Sequence, residues 1–441
     1  MNHRIIHKLR GWVLILCCLV IALTLALPLG AAQAPTVQNV ILFIGDGMGP
    51  VQVEVARQAA KLQGQKLNVD RFLVTGEVLT SSANQDVTDS AAAATALATG
   101  QRTNNGMIAV TPEGARLTTI LEWCRDHGRA TGLVTTDSLT GATPAAFAAH
   151  AQSRRELANL SDQIIAARVD VLLGGGESAF RPKSFPGSMR SDERDLVAEA
   201  QRDGYTLVST RSELGRVHAP RVLGLFAPWT MAFAIDRRAT VPTQPSLTEM
   251  TRAALRLLSA DRRGFFLMVE GGKIDPACHW NDGAAMVPEL LDFDRAVGLG
   301  LDFARTRKDT LVVVTADHET GGLRITDPRH LSALLKVTAS CERMQQLLNK
   351  ERSNADAVLR QYAQVPRPTT EQLAGIVAAK NPGVALGRII GAQAGLEWTR
   401  TDHSSRPVLL FGYGPSADAC RGKIENAEVG KRLRKAVGAS P

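Results

Sequence analysis

Apolar runs and helical patterns alternate along residues 38–180. Four of the apolar runs have the length of buried strands: 39–44, 74–80, 130–136 and 169–173. Between two of them, the stretch 89–99 is rich in alanine, a strong helix former, and Gly100 follows it as a C-terminal cap would. The alternation predicts an α/β fold, a three-layer sandwich with a central, mostly parallel sheet flanked by helices.

The pattern changes twice further along the chain. Residues 181–250 contain more proline, arginine and turn formers than the stretch before them, so we expect an excursion from the core there. Strand patterns then return, until leucines recur near helical spacing between about 328 and 395. Within that segment Thr369 and Gln372 have the spacing of a capping box. We therefore predict an inserted helical subdomain, after which the chain rejoins the sheet near residue 407.

Residues 1–34 have the pattern of an export signal. A basic start leads into an uncharged apolar run of 16 residues, Trp12–Leu27, and then into small residues. Cleavage after Ala32 is favoured, because cleavage after Ala34 would leave a proline at the new N-terminus. The alternative is a retained membrane anchor, but the run is shorter than the roughly 20 residues of a bilayer span. We expect residues 35–441 to be the mature protein, in the periplasm or outside the cell and free of the membrane.

Composition narrows the classes of partner and compartment. The net charge of +8 is spread along 441 residues without a basic block or interleaved aromatic residues, so nucleic acid is not expected as a specific partner. The length allows one large α/β domain or two smaller ones. Four cysteines follow residue 34, too far apart for a zinc knuckle, and would allow one or two disulfides in an oxidising compartment: Cys124, Cys278, Cys341 and Cys420.

Metal-ligating side chains follow three of the predicted strands. Asp317 and His318 come directly after the apolar run 311–316, and Asp46 follows the first strand within a glycine-rich turn. Asp275 and His279, after a third strand, are spaced i, i+4, so they share one side of a helical turn. One Asp-His pair alone is most often only a polar turn. Because sites in open α/β sheets form where strands end, three such ends together indicate a metal site.

Three further residues carry candidate chemistry. Ser90 begins the alanine-rich helix, where free N–H groups favour a phosphate, although Ser90 or Asp89 would also serve as a simple N-cap. Arg154 has a fork of donors that suits two phosphate oxygens, but alone it would be a solvated helix residue. His403 also lies next to a predicted strand, although it precedes that strand whereas the other candidate ligands follow theirs. Four other histidines are treated as structural or surface residues: His127, His150, His218 and His330.

These residues lie in segments that together resemble the alkaline phosphatase family. The matching segments occur in family order over residues 38–325 and 396–415: NVILFIGDGMG from Asn39, TDSAAAATALATG from Thr88, ATPAAFAAHAQSR from Ala142, LGGG from Leu173, FFLMVEGGKIDPACH from Phe265 and TADHE from Thr315. The helical segment at 328–395 is the part that the resemblance covers least.

The resemblance implies an exported phosphomonoesterase with a broad range of substrates, acting as a homodimer with two zinc ions and one magnesium ion. Ser90 would become a phosphoserine, inorganic phosphate would be released, and Arg154 would clamp the phosphate. The metal ligands carried over are Asp275, His279 and His403 for the first zinc, Asp46, Asp317 and His318 for the second, and Asp46, Thr143 and Glu270 for magnesium. Zinc pairs and oxygen-bound magnesium suit phosphoryl transfer, which depends on positioning and charge.

Two positions depart from the family pattern. Gly141 stands where relatives usually carry an aspartate or histidine that orders the magnesium waters. Pro276 stands where relatives often carry a basic or aromatic residue close to the phosphate. We therefore expect weaker magnesium binding than in those relatives, and expect Gly141→Asp to reduce the dependence on added magnesium.

Three alternative functions fit the residues less well. A sulfatase would need Cys or Ser followed by x-Pro-x-Arg, whereas Ser90 is followed by four alanines. Diesterases of this fold usually carry threonine as the nucleophile. The third alternative is an exported metal- or phosphate-binding protein without catalysis, but every matched site position retains a competent residue.

Overall fold

The computed structural model describes residues 37–439. The signal peptide predicted for residues 1–34, with its cleavage site near residue 32, lies outside the described part. Between residues 37 and 439, no helix combines the length and the apolar character that crossing a bilayer requires.

The described strands form one large sheet and two small ones. Their bounds are β1 Asn39–Gly45, β2 Val74–Leu79, β3 Ala130–Ser138, β4 Val171–Gly175, β5 Thr206–Val208, β6 Val222–Leu225, β7 Phe265–Gly271, β8 Thr310–Ala316, β9 Glu319–Thr320, β10 Leu323–Ile325, β11 Leu396–Trp398, β12 His403–Ser404, β13 Val408–Tyr413 and β14 Gly422–Glu425. The large sheet has ten strands in the order β14-β2-β13-β8-β1-β7-β3-β4-β6-β5.

Helices pack against this sheet and against one another. The α-helices are Pro50–Leu62, Ser90–Thr99, Ile120–Asp126, Ala142–Ala148, Leu157–Ala166, Leu196–Arg202, Arg211–Arg216, Ala234–Thr240, Leu247–Leu258, Ile274–His279, Gly283–Thr306, Cys341–Leu347, Ala355–Tyr362, Thr370–Ala378, Pro382–Gln393 and Asn426–Ala436. Short 3-10 segments lie at Val69–Arg71, Glu177–Ala179, Pro328–Lys336 and Ala417–Cys420.

The central strands β1, β7 and β8 position the polar residues that follow them. All three are buried along their whole length, as expected for parallel strands covered on both faces. β1 pairs in parallel with β7 on one side and β8 on the other, and Gly45 is opposite both Gly271 and Ala316. The strands therefore end level with one another, and the residues after them share one edge of the sheet.

The predicted fold class is confirmed, with local corrections. The sheet is mostly parallel, and β13 runs antiparallel to both of its neighbours, β8 and β2. β4 begins two residues later than the sequence predicted. The supposed excursion at 181–250 contributes β5 and β6 to the sheet edge, and β14 follows the strand expected to be last.

The segment between β10 and β11 is helical. β10 and β11 pair antiparallel, with Leu323 opposite Trp398, so the segment leaves and returns to the fold at one place. Thr369 and Gln372 form the capping box expected from their spacing. The side chains that anchor the segment are buried leucines and a methionine: Leu331, Leu334, Leu359, Leu386 and Met344.

The four cysteines of the described chain are buried as free thiols. The disulfides that the composition would allow are therefore not formed among residues 37–439.

Candidate active site

Asp46, Asp317 and His318 meet at the ends of β1 and β8, and we call them the second metal group. The Nε2 atom of His318 lies 3.5 Å from Asp46 Oδ1 and 3.2 Å from Asp317 Oδ2. The other Asp317 oxygen accepts hydrogen bonds from the backbone N–H groups of Gly47 and His318. Gly47 has φ of +70°, and a Cβ there would lie 2.8 Å from Asp275 Oδ1, so a glycine is needed at this turn.

Asp275, His279 and His403 form the first metal group, beside the second. Asp275 and His279 share the helix Ile274–His279, with 3.0 Å between Oδ2 and Nε2. His403 Nε2 lies 3.2 Å from His279 Nε2 and 3.7 Å from Asp275 Oδ1. Ring Nδ1 atoms of both histidines face backbone carbonyls, those of Thr401 and Thr88. Bonds of that kind leave the two Nε2 atoms free to bind a metal.

The two groups are continuous with each other. The rings of His318 and His403 stack with their centroids 3.6 Å apart, and ligand atoms of Asp275, His318 and His403 lie within 4.8 Å of one another. Burial lowers the pKa of His318 well below its usual value, with a smaller contribution from the neighbouring His403. A neutral imidazole is the form that binds metals.

Ser90 lies against this pair of groups. Its Oγ atom is 3.2 Å from His318 Nε2, and only 4% of the residue is exposed. The N-cap of the helix Ser90–Thr99 is Asp89, whose carboxylate accepts from the backbone N–H of Ala92. The Ser90 hydroxyl is therefore not used for capping and faces the metal groups at the positive end of the helix.

Arg154 is held beside the same helix start. Its Nη1 atom donates to Asp89 Oδ2 over 3.1 Å, and that oxygen also accepts from the backbone of Gly106. About 38% of the arginine side chain is exposed. The guanidinium is thus oriented by Asp89 while keeping donors free for an anion at Ser90.

Glu270, Thr143 and Asp46 form a third group, which has only oxygen donors and which we call the third oxygen group. Glu270 ends β7 and accepts from the Thr135 hydroxyl of β3 through one oxygen. Its other oxygen and the Thr143 hydroxyl are buried without a hydrogen-bond partner, and so is Asp46 Oδ1, the oxygen that lies 3.5 Å from His318 Nε2. Asp317 Oδ2 in the second metal group is likewise buried without a hydrogen-bond partner.

These unpartnered oxygens fit cations. Buried polar atoms are nearly always satisfied, so a cluster of orphaned acceptors calls for a missing positive group. Burial raises the pKa of Glu270 to about 8 and that of Asp317 to about 6, with carboxylates nearby adding to both shifts. Mixed nitrogen and oxygen donors in the first and second groups suit zinc, and the all-oxygen third group suits magnesium.

Sequence reasoning missed three polar residues in this region. Thr320 donates its hydroxyl hydrogen to Asp275 Oδ1 over 2.5 Å. Asp137 is the next-to-last residue of β3 and lies beside Glu270, and the buried Lys273 follows β7. The strand-end pattern that identified Asp46 and Asp317 would also have identified Asp137, because it lies at the carboxyl end of a buried apolar run.

A cavity of about 740 Å³ opens beside the first metal group. Residues of the helical segment at 328–395 line most of it, and the remaining lining residues are His279, Trp280, Thr401 and Asp402. The charged side chains on its lining include both signs: Glu371, Lys380, Arg388 and Asp402.

The four histidines set aside by the sequence lie outside the two metal groups. His150 bonds to Glu122 and to the carbonyl of Ala109, and His127 stacks on Trp123. His218 bonds to a backbone carbonyl at the surface, and His330 is exposed beside Asp327.

Comparison with known proteins gives a consistent result. The family model described as alkaline phosphatase matches residues 37–439. Alkaline phosphatase 4 of Bacillus subtilis is 37% identical over 416 residues, which is 89% of this chain and 87% of the relative. The crystal structure of Thermus thermophilus alkaline phosphatase superposes with a TM-score of 0.86 at 29% identity, covering 94% of this chain and 96% of that one.

A further solved structure is informative about metals. It is a mutant alkaline phosphatase from the Antarctic bacterium TAB5 with magnesium bound in its M3 site. It matches with a TM-score of 0.70 and 27% identity, covering 93% of this chain and all of that one.

Proposed function

The chain belongs to the alkaline phosphatase family, and we propose that it hydrolyses phosphate monoesters through a phosphoserine formed at Ser90. The observation that carries this proposal is the position of the Ser90 hydroxyl, 3.2 Å from His318 and beside two contiguous groups of metal-ligating side chains.

The donor sets support three metal sites. Asp275, His279 and His403 would hold one zinc ion, and Asp46, Asp317 and His318 a second. The magnesium ligands would be Asp46, Thr143 and Glu270, and the unpartnered oxygens of Thr143 and Glu270 support that assignment. When bound, the zinc ions would acidify the attacking hydroxyl and stabilise the departing oxygen, and magnesium would balance the buried carboxylates.

The chain's own residues would bind and orient the phosphoryl group. The free N–H groups at the start of the Ser90 helix and the Arg154 guanidinium would take its non-bridging oxygens. Ser90 Oγ would form a bond to phosphorus as the bond to the leaving oxygen breaks, and the serine proton would pass to solvent. Water would then cleave the phosphoserine, releasing inorganic phosphate and restoring the hydroxyl.

The leaving group would occupy the cavity beside His279. In-line transfer places the attacking and leaving oxygens on opposite sides of phosphorus. Because Ser90 contacts the second metal group, the leaving oxygen would face the first, where the cavity opens. A wide cavity lined by mixed charges supports a broad range of monoesters. We further propose that the enzyme is exported, to the periplasm or beyond, and acts as a homodimer.

Trapping the intermediate tests the proposal. Brief incubation with a phosphorus-labelled aryl phosphate, followed by acid quenching and peptide mapping, should place the label on Ser90. The Ser90→Ala variant should retain the metals but lose the label and nearly all turnover. Turnover of a diester measured in parallel, with zinc and magnesium present, should be far slower than that of the monoester. Label on another residue would overturn the assignment of Ser90, and preference for the diester would overturn the reaction.

A further inference from the structure

Gly141 is covered by the carboxylate of Asp137. A Cβ built on Gly141 would lie 2.4 Å from Asp137 Oδ2 and 2.8 Å from the carbonyl oxygen of Ser138. The absence of a side chain at 141 thus does not leave a gap, because the carboxylate of a residue four positions earlier already fills the space. An aspartate at position 141 would have to displace the Asp137 carboxylate and shift the backbone at Ser138, which the expectation that Gly141→Asp would reduce the dependence on added magnesium did not take into account.

Asp137 also lies against the third oxygen group. A Cβ built on Gly272 would be 2.8 Å from Asp137 Cβ and 3.2 Å from Glu270 Oε2, so these two side chains flank the same point. The negative charge of Asp137 contributes to raising the pKa of both Glu270 and Asp46. The charge of Asp137 is therefore felt by two of the three residues in the third oxygen group.

Cationic groups face Asp137 from two other elements. Burial raises the pKa of Asp137, and a hydrogen bond from the Ser138 backbone N–H together with the charges of Lys273 and Arg154 acts against that rise. Lys273 is fixed in place, because its backbone N–H donates to Thr136 and its ammonium group donates to Thr230 and lies 3.9 Å from the ring centroid of Phe233. The two cations therefore lie close enough to Asp137 to favour its charged form.

We propose that Asp137 is a residue of the magnesium site. Gly141 is required because any side chain at position 141 would occupy the space that the Asp137 carboxylate fills. Independent support comes from the unpartnered oxygens of Thr143 and Glu270, both residues only 1% exposed, which already indicate a cation beside Asp137. The inference rests on the third metal of the proposed function. Outer-shell carboxylates of this kind tune metal affinity by about 10- to 100-fold.

Magnesium binding to the zinc-loaded enzyme tests the assignment. Magnesium chloride is titrated calorimetrically into enzyme depleted of magnesium, and zinc content is measured in the same samples. Asp137→Asn should weaken magnesium binding by about 10- to 100-fold while leaving zinc content unchanged. Asp126→Asn, which removes an exposed carboxylate on the helix Ile120–Asp126, is the matched control and should bind magnesium as the wild type does.

A double-mutant cycle tests the role of the glycine. Gly141→Ala should weaken magnesium binding in the wild-type background by displacing the Asp137 carboxylate, and should have much less effect when Asp137→Ala is already present. Equal effects of Gly141→Ala in the two backgrounds would show that the glycine acts independently of Asp137.

The outcomes separate this inference from the proposed reaction. Unchanged magnesium affinity in Asp137→Asn, or a wild type that turns over monoesters with zinc alone and binds no magnesium, would overturn the role of Asp137 and leave the phosphatase assignment standing. A wild type that binds neither metal and has no monoesterase activity would overturn both.

Discussion

At the scale of single residues, Arg154 illustrates how one side chain is prepared for an anion. Asp89 caps the Ser90 helix and also holds the Arg154 guanidinium, so the arginine proposed to bind phosphate and the helix start are fixed by the same carboxylate.

Arg154→Ala should raise the inhibition constant of inorganic phosphate by about 10- to 100-fold, since a hydrogen bond to a charged group contributes about 1.5–3 kcal/mol. The neighbouring exposed Arg155 provides a matched control, and Arg155→Ala should leave the constant unchanged. Steady-state inhibition by phosphate measures both. Equal constants for Arg154→Ala and the wild type would mean that another group binds the anion.

The site residues were predictable to the extent that each lies next to a strand or helix end. Asp46, Asp317 and Glu270 mark the level ends of three adjacent parallel strands, so sequence position fixes their place in space. Asp137 could have been found by the same strand-end pattern, but its contact with Gly141 could not, because that contact depends on the path of the loop after β3, which apolar periodicity does not encode.

At the scale of elements, the helix that carries Ser90 is supported by a close crossing. The C-terminal helix Asn426–Ala436 packs on it at Gly430, where a Cβ would lie 2.2 Å from the carbonyl oxygen of Ala96 and 2.7 Å from the backbone nitrogen of Gly100. Two helix backbones approach this closely only where a glycine permits it.

Gly430→Ala should therefore lower the free energy of unfolding by about 1–3 kcal/mol and slow phosphorylation of Ser90, because the two helices must move apart. Gly215→Ala is the control: this glycine lies within the helix Arg211–Arg216 with nothing near its Cβ position. Alanine there should stabilise by about 0.5–1 kcal/mol through helix propensity. Denaturant titration with single-turnover labelling measures both effects, and a Gly430→Ala enzyme as stable as the wild type would contradict the tight crossing.

The helix Ile120–Asp126 depends on a buried carboxylate. Glu122 completes a capping box with Thr119 and also binds His150 and Arg116. Burial alone would raise its pKa, but the hydrogen bonds from His150 and the Thr119 backbone, with the other charges, lower it to about 2.

Because the folded pKa lies below the ordinary value of about 4.3, Glu122 stabilises the fold above that pH, and its contribution is lost as pH falls towards 2. Glu122→Gln should lower the free energy of unfolding at pH 7 by about 1–3 kcal/mol, and the difference from the wild type should shrink between about pH 4.3 and 2. Denaturant unfolding at a series of pH values tests this. Glu213→Gln, in an exposed capping box, should change little, and a pH-independent deficit in Glu122→Gln would refute the electrostatic cause.

The elements themselves were predicted in proportion to their length and apolar character. β1, β7 and β8 are seven residues long, each contains an uninterrupted run of four or five large apolar residues, and they were recognisable for that reason. β5, β6 and β14 have three or four residues each, too few for a periodic signal, and β14 has the polar sequence GKIE. Their pairing is set by the neighbouring strands and not by local sequence.

At the scale of the whole molecule, the metal groups join parts of the chain that are distant in sequence. Asp46, Asp275, Asp317 and His403 come from different elements spread over more than 350 residues. Bound cations would therefore stabilise the entire fold, and their removal would leave like charges and unpartnered oxygens buried together.

Chelation should lower the Tm, and zinc with magnesium should restore it. A ligand at 100 times its Kd stabilises the native state by about 2.7 kcal/mol, so the shift should be several degrees. Arg154→Ala removes no metal ligand, so metal addition should raise its Tm as much as it raises that of the wild type. Asp317→Ala, which removes a ligand, should show a smaller rise. Differential scanning calorimetry with metal analysis decides this, and a metal-free protein with an unshifted Tm would argue against buried metal sites.

The enzyme's four described cysteines are buried and unpaired, and this affects the conditions under which it can be produced: Cys124, Cys278, Cys341 and Cys420. With no cross-link to form among residues 37–439, maturation of this part of the chain requires no oxidant and no thiol isomerase. Reducing agents should leave its activity intact, and the same active protein should form in a reducing cytoplasm or an oxidising secretory space. Redox conditions would then not limit the yield of active enzyme in either compartment.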